Sequence, residues 1–255
     1  MRRLANPGYS PHFFAVREAG SARSARRILP DVLKLTRASS VLDVGCGIGT
    51  WARAAHDCGA REVVGVDGAW VDPGSLLVDP DAFVAHDLGT PLDLGRSFDL
   101  ALCLEVAEHL DAAAGDTLLA SLVRHAPAVL FSAAIPYQGG RHHVNERWQS
   151  HWVERFAALG FGLHDVVRPA VWTDPDVEPW YAQNALLFVE RGHATRLGLE
   201  PAAPLPADLV HPGLHTIRNA SPALKPALKL LPRAIRTDSR RLRVALGARV
   251  RRTLR

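Results

Sequence analysis

The hexapeptide Glu105-Val-Ala-Glu-His-Leu110 sets two carboxylates and an imidazole at positions i, i+3 and i+4, directly after the apolar run "FDLALCL". If a helix begins there, the three side chains share one face. One account is a plain helix start, in which acids in the first turn complement the macrodipole and His109 packs. It explains one carboxylate more easily than two beside an imidazole. The other account is a divalent cation: Glu105 and Glu108 neutralise its charge and a neutral His109 adds a nitrogen ligand. A polar acceptor pocket without metal uses the same residues and stays open.

A second constellation lies upstream in "VLDVGCGIGTWA", where Asp43 precedes Gly45, Cys46, Gly47 and Gly49. Glycine permits a sharp turn and a close backbone approach to a ligand. Further on, "VVGVDG" ends a second apolar run with Asp67 and Gly68, an acid placed to accept hydrogen bonds from a ribose diol. A helix N-terminus facing a pyrophosphate suits a dehydrogenase; an acid ahead of the glycines suits a cationic ligand instead.

The elements that must carry these groups alternate. Apolar runs at 40–44, 62–66, 82–86, 98–104, 128–134, 162–168 and 184–190 read as strands, with helices near 49–58, 106–125 and 146–159. That pattern predicts an α/β fold: a Rossmann-like, mainly parallel seven-stranded sheet with helices on both faces. Ligands then sit beyond the carboxyl ends of the strands. Residues 1–37 form a helical cap broken at Pro30, residues 38–192 the central domain, and 193–255 a Pro-rich linker with a basic C-terminal extension.

On these motifs the chain resembles the class I S-adenosylmethionine (SAM) dependent methyltransferases. The resemblance covers roughly residues 38–190 and implies SAM as cofactor, held by Asp43, Gly45, Cys46, Gly47, Gly49, Asp67, Gly68 and Glu105. In "AHDLG" it places Asp87 and Leu88 beside the adenine. The Glu-x-x-Glu-His pattern is also similar to that of magnesium-dependent small-RNA terminal 2′-O-methyltransferases and ubiquinone-pathway O-methyltransferases. In the RNA enzymes a second histidine precedes a Glu-containing helix, and "RHHVNERWQSHW" offers His143 for it. The resemblance thus implies Glu105, Glu108, His109 and His143 as ligands of Mg2+. A neighbouring histidine takes the acceptor's proton, His142 first, with His109 or His143 in that role if no metal binds.

Trp148, Trp172, Trp180 and Tyr181 lie in or near an irregular stretch over the expected pocket mouth. Aromatic faces beside Asp, Asn and Gln suit a sugar ring and its hydroxyls. The segment from "HVNERW" to "WYAQN" is similar to bacterial methyltransferases of polysaccharide and natural-product glycan synthesis. The expected activity is therefore O-methylation of a saccharide, small or oligomeric, with quinol or catechol O-methylation second and a non-catalytic SAM-binding protein as the alternative class.

Bulk composition bounds the partners. Residues 201–255 hold 12 Lys+Arg against 2 Asp+Glu, leaving 18 against 24 over residues 1–200. An acidic body repels phosphates, so nucleic acid is disfavoured. The basic tail could touch an anionic membrane peripherally, or simply be solvated. No apolar run reaches the roughly 18 residues of a membrane span, so none is expected. The three cysteines and the lack of an apolar leader suggest a reducing, cytoplasmic setting.

Overall fold

The computed structural model describes residues 11–199 and 207–220. Seven strands form one sheet: β1 (Ser40–Val44), β2 (Glu62–Asp67), β3 (Phe83–Ala85), β4 (Leu100–Leu104), β5 (Ala128–Ser132), β6 (Phe161–His164) and β7 (Leu186–Glu190). Their order is β3-β2-β1-β4-β5-β7-β6. All neighbouring pairs are parallel except that β7 runs antiparallel to β5 and β6. The strand order reverses between β1 and β4, which opens a crevice at their carboxyl ends.

Side chains alternate across the sheet, and each face receives its own helices. Leu100, Leu102 and Leu104 of β4 point to the face covered by α1 (Pro11–Thr36), α2 (Thr50–Asp57), α5 (Val167–Val171), α6 (Pro179–Asn184) and α7 (Arg191–Leu197). Ala101 and Cys103 point to the other face, under α3 (Ala112–His125) and α4 (Gln149–Ala158). Trp152 and Phe156, one turn apart on α4, pack on Phe131 in that second core, with ring centroids 5.2 and 5.4 Å away. A separate unit begins at Pro212 and contains α8 (Pro212–Ala220). The basic stretch after residue 220 lies outside the described residues. None of the described helices is long and apolar enough to cross a membrane.

The expected helix near 146–159 begins only at Gln149, and a helix, Pro179–Asn184, fills part of the stretch expected to be irregular. Three further departures have a plain physical cause. Helix α1 runs through Pro30 without a break. Pro30 sits on its exposed face while Ile28, Leu29, Val32 and Leu33 are buried. A helix-interior proline costs about 3 kcal/mol, and burying four large apolar side chains at roughly 1.5–3 kcal/mol each outweighs it. The expected strand 162–168 stops at His164, because Arg168 pairs with Asp165 at i,i+3, a spacing that a helical turn brings together and a strand does not. The expected helix 106–125 is divided. A single 3-10 turn, Ala107–His109, precedes α3, whose N-cap is Asp111, accepting from Ala114 N at 2.9 Å.

Candidate functional site

After β1 the chain turns through Gly45 (φ 80°), Gly47 (φ 56°) and Gly49 (φ 88°). All three are left-handed, a region that costs L-residues roughly 1–2 kcal/mol. At Gly45 a Cβ would also collide with Val106, in the turn after β4. The Gly45 N–H donates to Val66 O at 2.8 Å, so the glycine loop is stitched to β2. Asp67 ties the loop further: its Oδ2 accepts from Gly47 N at 2.7 Å and its Oδ1 from Gly68 N at 2.6 Å. Each oxygen keeps a lone pair for a ligand. Within the loop the Cys46 side chain is buried, its sulfur lying against Gly65 of β2. Asp87 is exposed and its Oδ1 accepts from Gly89 N, while Leu88 is half-buried against the second core.

Asp43 commits one oxygen to the fold: Oδ2 accepts from Ala52 N in α2 at 3.0 Å. Burial, and secondarily the charge of Asp67, push its pKa up to about 7. A carboxyl whose pKa is raised on folding contributes stability that is fully present below its unfolded value and is lost as pH rises through about 7. Asp43→Asn keeps an acceptor for Ala52 and cannot ionise. The gain in melting temperature of wild type between pH 8 and pH 5 is therefore expected to be smaller in Asp43→Asn. Parallel melting-temperature profiles for the two proteins would refute this assignment.

At the end of β4, Glu105 is itself left-handed (φ 57°), and its N–H is held by Ser132 O at 2.9 Å and Ser132 Oγ at 3.1 Å. The turn that follows buries Glu108 completely. No well-formed hydrogen bond reaches either carboxyl oxygen, although the Glu105 carboxyl and the Ala134 backbone lie close by and Oε1 is within ion-pair range of His143. Burial first, then the charge of Glu105, drives the Glu108 pKa well above the usual carboxylate range. The backbone carbonyl of Glu108 accepts from Val144 N at 2.9 Å and Asn145 N at 3.1 Å, which zips the loop after β5 against this turn. His143 thereby arrives with Nε2 4.0 Å from Glu108 Oε1 and its ring 4.8 Å, edge to face, from His109. One ligand atom each from Glu108, His109 and His143 lies within 4.8 Å of the others.

Three of the four expected ligands therefore meet. Glu105 lies beside them but faces side-chain amides: Gln138 Nε2 donates to its Oε2 at 3.0 Å and Asn184 Nδ2 to its Oε1 at 3.3 Å. His142 is exposed, at φ 60°, and outside the cluster. An oxygen and two nitrogens form a donor set that suits a first-row transition ion at least as well as Mg2+. A buried carboxyl that lacks a well-formed hydrogen bond, beside two imidazoles, also fits a cation's requirements.

The acceptor-side aromatics divide. Trp148 is 40% exposed at the N-cap of α4. Trp172 is half-buried, edge-on to His211, whose Nε2 bonds the Trp172 carbonyl at 2.6 Å. Trp180 packs against the first core. Tyr181, expected at the acceptor, is a core residue instead: it is 6% exposed and its hydroxyl bonds Ser21 Oγ at 3.0 Å and Trp51 Nε1 at 3.4 Å. Helix α6 turns Tyr181 inward because Ala182 and Ala185 on the same segment are buried as well.

Sequence patterns did not single out Trp70, Tyr137, Gln138 or Asn184, and used Glu146 only as the mark by which His143 was matched. Trp70 is 63% exposed beside Gly68, where a Cβ would strike the indole. Tyr137 is 78% exposed and left-handed at φ 69°. The Gly139-Gly140 pair after "YQ" was the available signal of a tight turn here.

Comparison with known proteins supplies the lineage. Residues 17–161, more than half of the chain, match a family profile described as a methyltransferase domain. A ribosomal protein L11 methyltransferase of Geobacter sulfurreducens is 33% identical over 161 residues, which are 60% of this chain and 48% of that protein. Its Geobacter metallireducens counterpart is 30% identical over 160 residues, again 60% and 48%. The chain thus spans about half the length of the curated relatives it matches. Among solved structures, the sugar N-methyltransferase KedS8 from Streptoalloteichus superposes with a TM-score of 0.55 at 17% identity, over 75% of this chain and 99% of that one. The magnesium protoporphyrin IX methyltransferase of Synechocystis gives 0.53 at 18%, over 72% and 90%.

Proposed function

This chain belongs to the SAM-dependent methyltransferase family, and from that premise we propose that it methylates a hydroxyl of a saccharide with the help of a divalent cation. The observation that carries the proposal is Glu108, fully buried with no well-formed hydrogen bond to either carboxyl oxygen, and grouped with His109 and His143 just beyond the end of β4. Glu108, His109 and His143 hold the cation, and Glu105, clamped by two amides, borders them. A divalent ion bound there lowers the pKa of an acceptor hydroxyl and fixes its direction. The glycine loop and Asp67 seat SAM, with Asp67 accepting from the ribose through its remaining lone pairs and Trp70 covering that side. Exposed Tyr137 and Trp148 supply the aromatic faces on which a sugar ring stacks.

Transfer of a labelled methyl group from SAM to mono- and oligosaccharides tests this, with catechols and an amine-bearing protein as controls. Expected are sugar methylation, loss of it with chelator, and support by Mn2+ at lower concentration than Mg2+, because imidazole nitrogens favour the former. A rate indifferent to chelator sinks the cation, and labelling of catechols alone sinks the saccharide. Methylation of a protein amine is the second reading, favoured by the 33% identity to a ribosomal protein methyltransferase.

A further inference from the structure

Glu146 gathers the loop between β5 and α4 around one carboxylate. Its Oε2 accepts from Tyr137 N at 2.8 Å, while its Oε1 accepts from Gly139 N at 2.9 Å and meets the Nδ1 of His143 at 3.0 Å. An ionised carboxylate is acceptor only, so Nδ1 must carry the proton. In the neutral ring Nε2 then presents its lone pair, and Nε2 is the nitrogen that faces Glu108. The His143 ring also lies against Gly140, where a Cβ would collide with it. The other oxygen of the same carboxylate pins Tyr137 in a left-handed conformation, a cost of roughly 1–3 kcal/mol that surrounding bonds must offset. The ring of Tyr137 is left projecting into solvent.

We propose that Glu146 is a positioning residue with two simultaneous outputs. It fixes His143 as the Nδ1–H tautomer with Nε2 turned into the cluster, and it holds Tyr137 outward as the acceptor-contacting face. The group that prepares the nucleophile and the ring that receives the acceptor are thereby tied to one carboxylate. The inference rests on the cluster being the seat of the reaction.

The test uses the full chain and three variants, Glu146→Ala, Glu146→Gln and Tyr137→Ala. Three quantities are read: the His143 ring ¹⁵N shifts by NMR, the Kd for Mn2+ alone by calorimetry, and the KM for the best saccharide. Glu146→Ala is expected to lose the Nδ1–H signature and to weaken Mn2+ about 10–100-fold, the usual cost of removing a group that orients a ligating histidine. Glu146→Gln retains one oxygen for His143 and Gly139 but presents an NH2 to Tyr137 N–H. It should keep the tautomer and the Mn2+ Kd while raising acceptor KM as Tyr137→Ala does. Unchanged His143 shifts in Glu146→Ala would overturn the positioning role. Should that variant fail to fold, an unchanged KM in both Glu146→Gln and Tyr137→Ala would overturn the coupling. If wild type binds no Mn2+ yet its tautomer still depends on Glu146, the cation reading fails and the positioning role stands.

Discussion

Glu108→Gln is expected to abolish Mn2+ binding and to slow methyl transfer by roughly 10²–10⁴-fold, the equivalent of several kcal/mol of lost charge stabilisation. The same change should make the metal-free protein more stable. Glu108 is wholly buried beside the Glu105 carboxyl, with no well-formed hydrogen bond to either oxygen, and a negative charge in that setting is costly. Its pKa is raised by burial and by Glu105, so the stability it contributes is present at low pH and lost as pH rises. The advantage of the neutral amide should therefore widen from pH 5 to pH 8. Adding Mn2+ reverses the order, since a ligand that binds only the folded state raises wild-type stability by mass action and leaves the variant untouched. Melting curves with and without the ion measure this crossing. A variant that keeps full turnover in chelator would remove Glu108 from the reaction.

Arg168→Ala is expected to cost about 3–5 kcal/mol, the range for leaving half of a buried ion pair behind. Arg168 is 1% exposed, and its Nε reaches Asp165 Oδ1 at 2.9 Å and Oδ2 at 3.0 Å. Truncation strands a carboxylate that is itself 7% exposed. It also frees Ala207 O, which Arg168 Nη1 binds at 2.6 Å. That carbonyl begins a short segment anchored residue by residue: Asp208 takes Ser150 N at 2.8 Å, Leu209 O takes Gln149 Nε2 at 2.9 Å, and His211 N reaches Gln183 Oε1 at 2.8 Å. Gln183 in turn bonds Gln138, the residue that clamps Glu105. A melting-temperature drop of roughly 6–20 °C is expected for a domain of this size. Arg168→Met combined with Asp165→Leu should recover most of it, because an apolar pair has no stranded charge. A single variant within about 1 kcal/mol of wild type would show that the pair is not the anchor.

Residue types and short spacings determined the seven-stranded α/β sheet, the glycine turn and the two acids beside it, because alternation and the need for φ > 0 are local properties. Spacing also set Glu105, Glu108 and His109 in one turn, and the family resemblance alone added His143 to them. Only the tertiary structure decided which polar groups meet. Glu105 is claimed by amides 33 and 79 residues away, and Tyr181 by Ser21 and Trp51 across the first core. Neighbours His142 and His143 carry identical side chains, yet one faces solvent and the other Glu108, because Val144 and Asn145 bond the Glu108 carbonyl and fix the turn between them. Helix α1 outlasts its proline for the same reason: burial supplied by distant strands exceeds a local penalty. Local pattern states what a residue can do, whereas long-range packing and hydrogen bonds select the partner with which it does so.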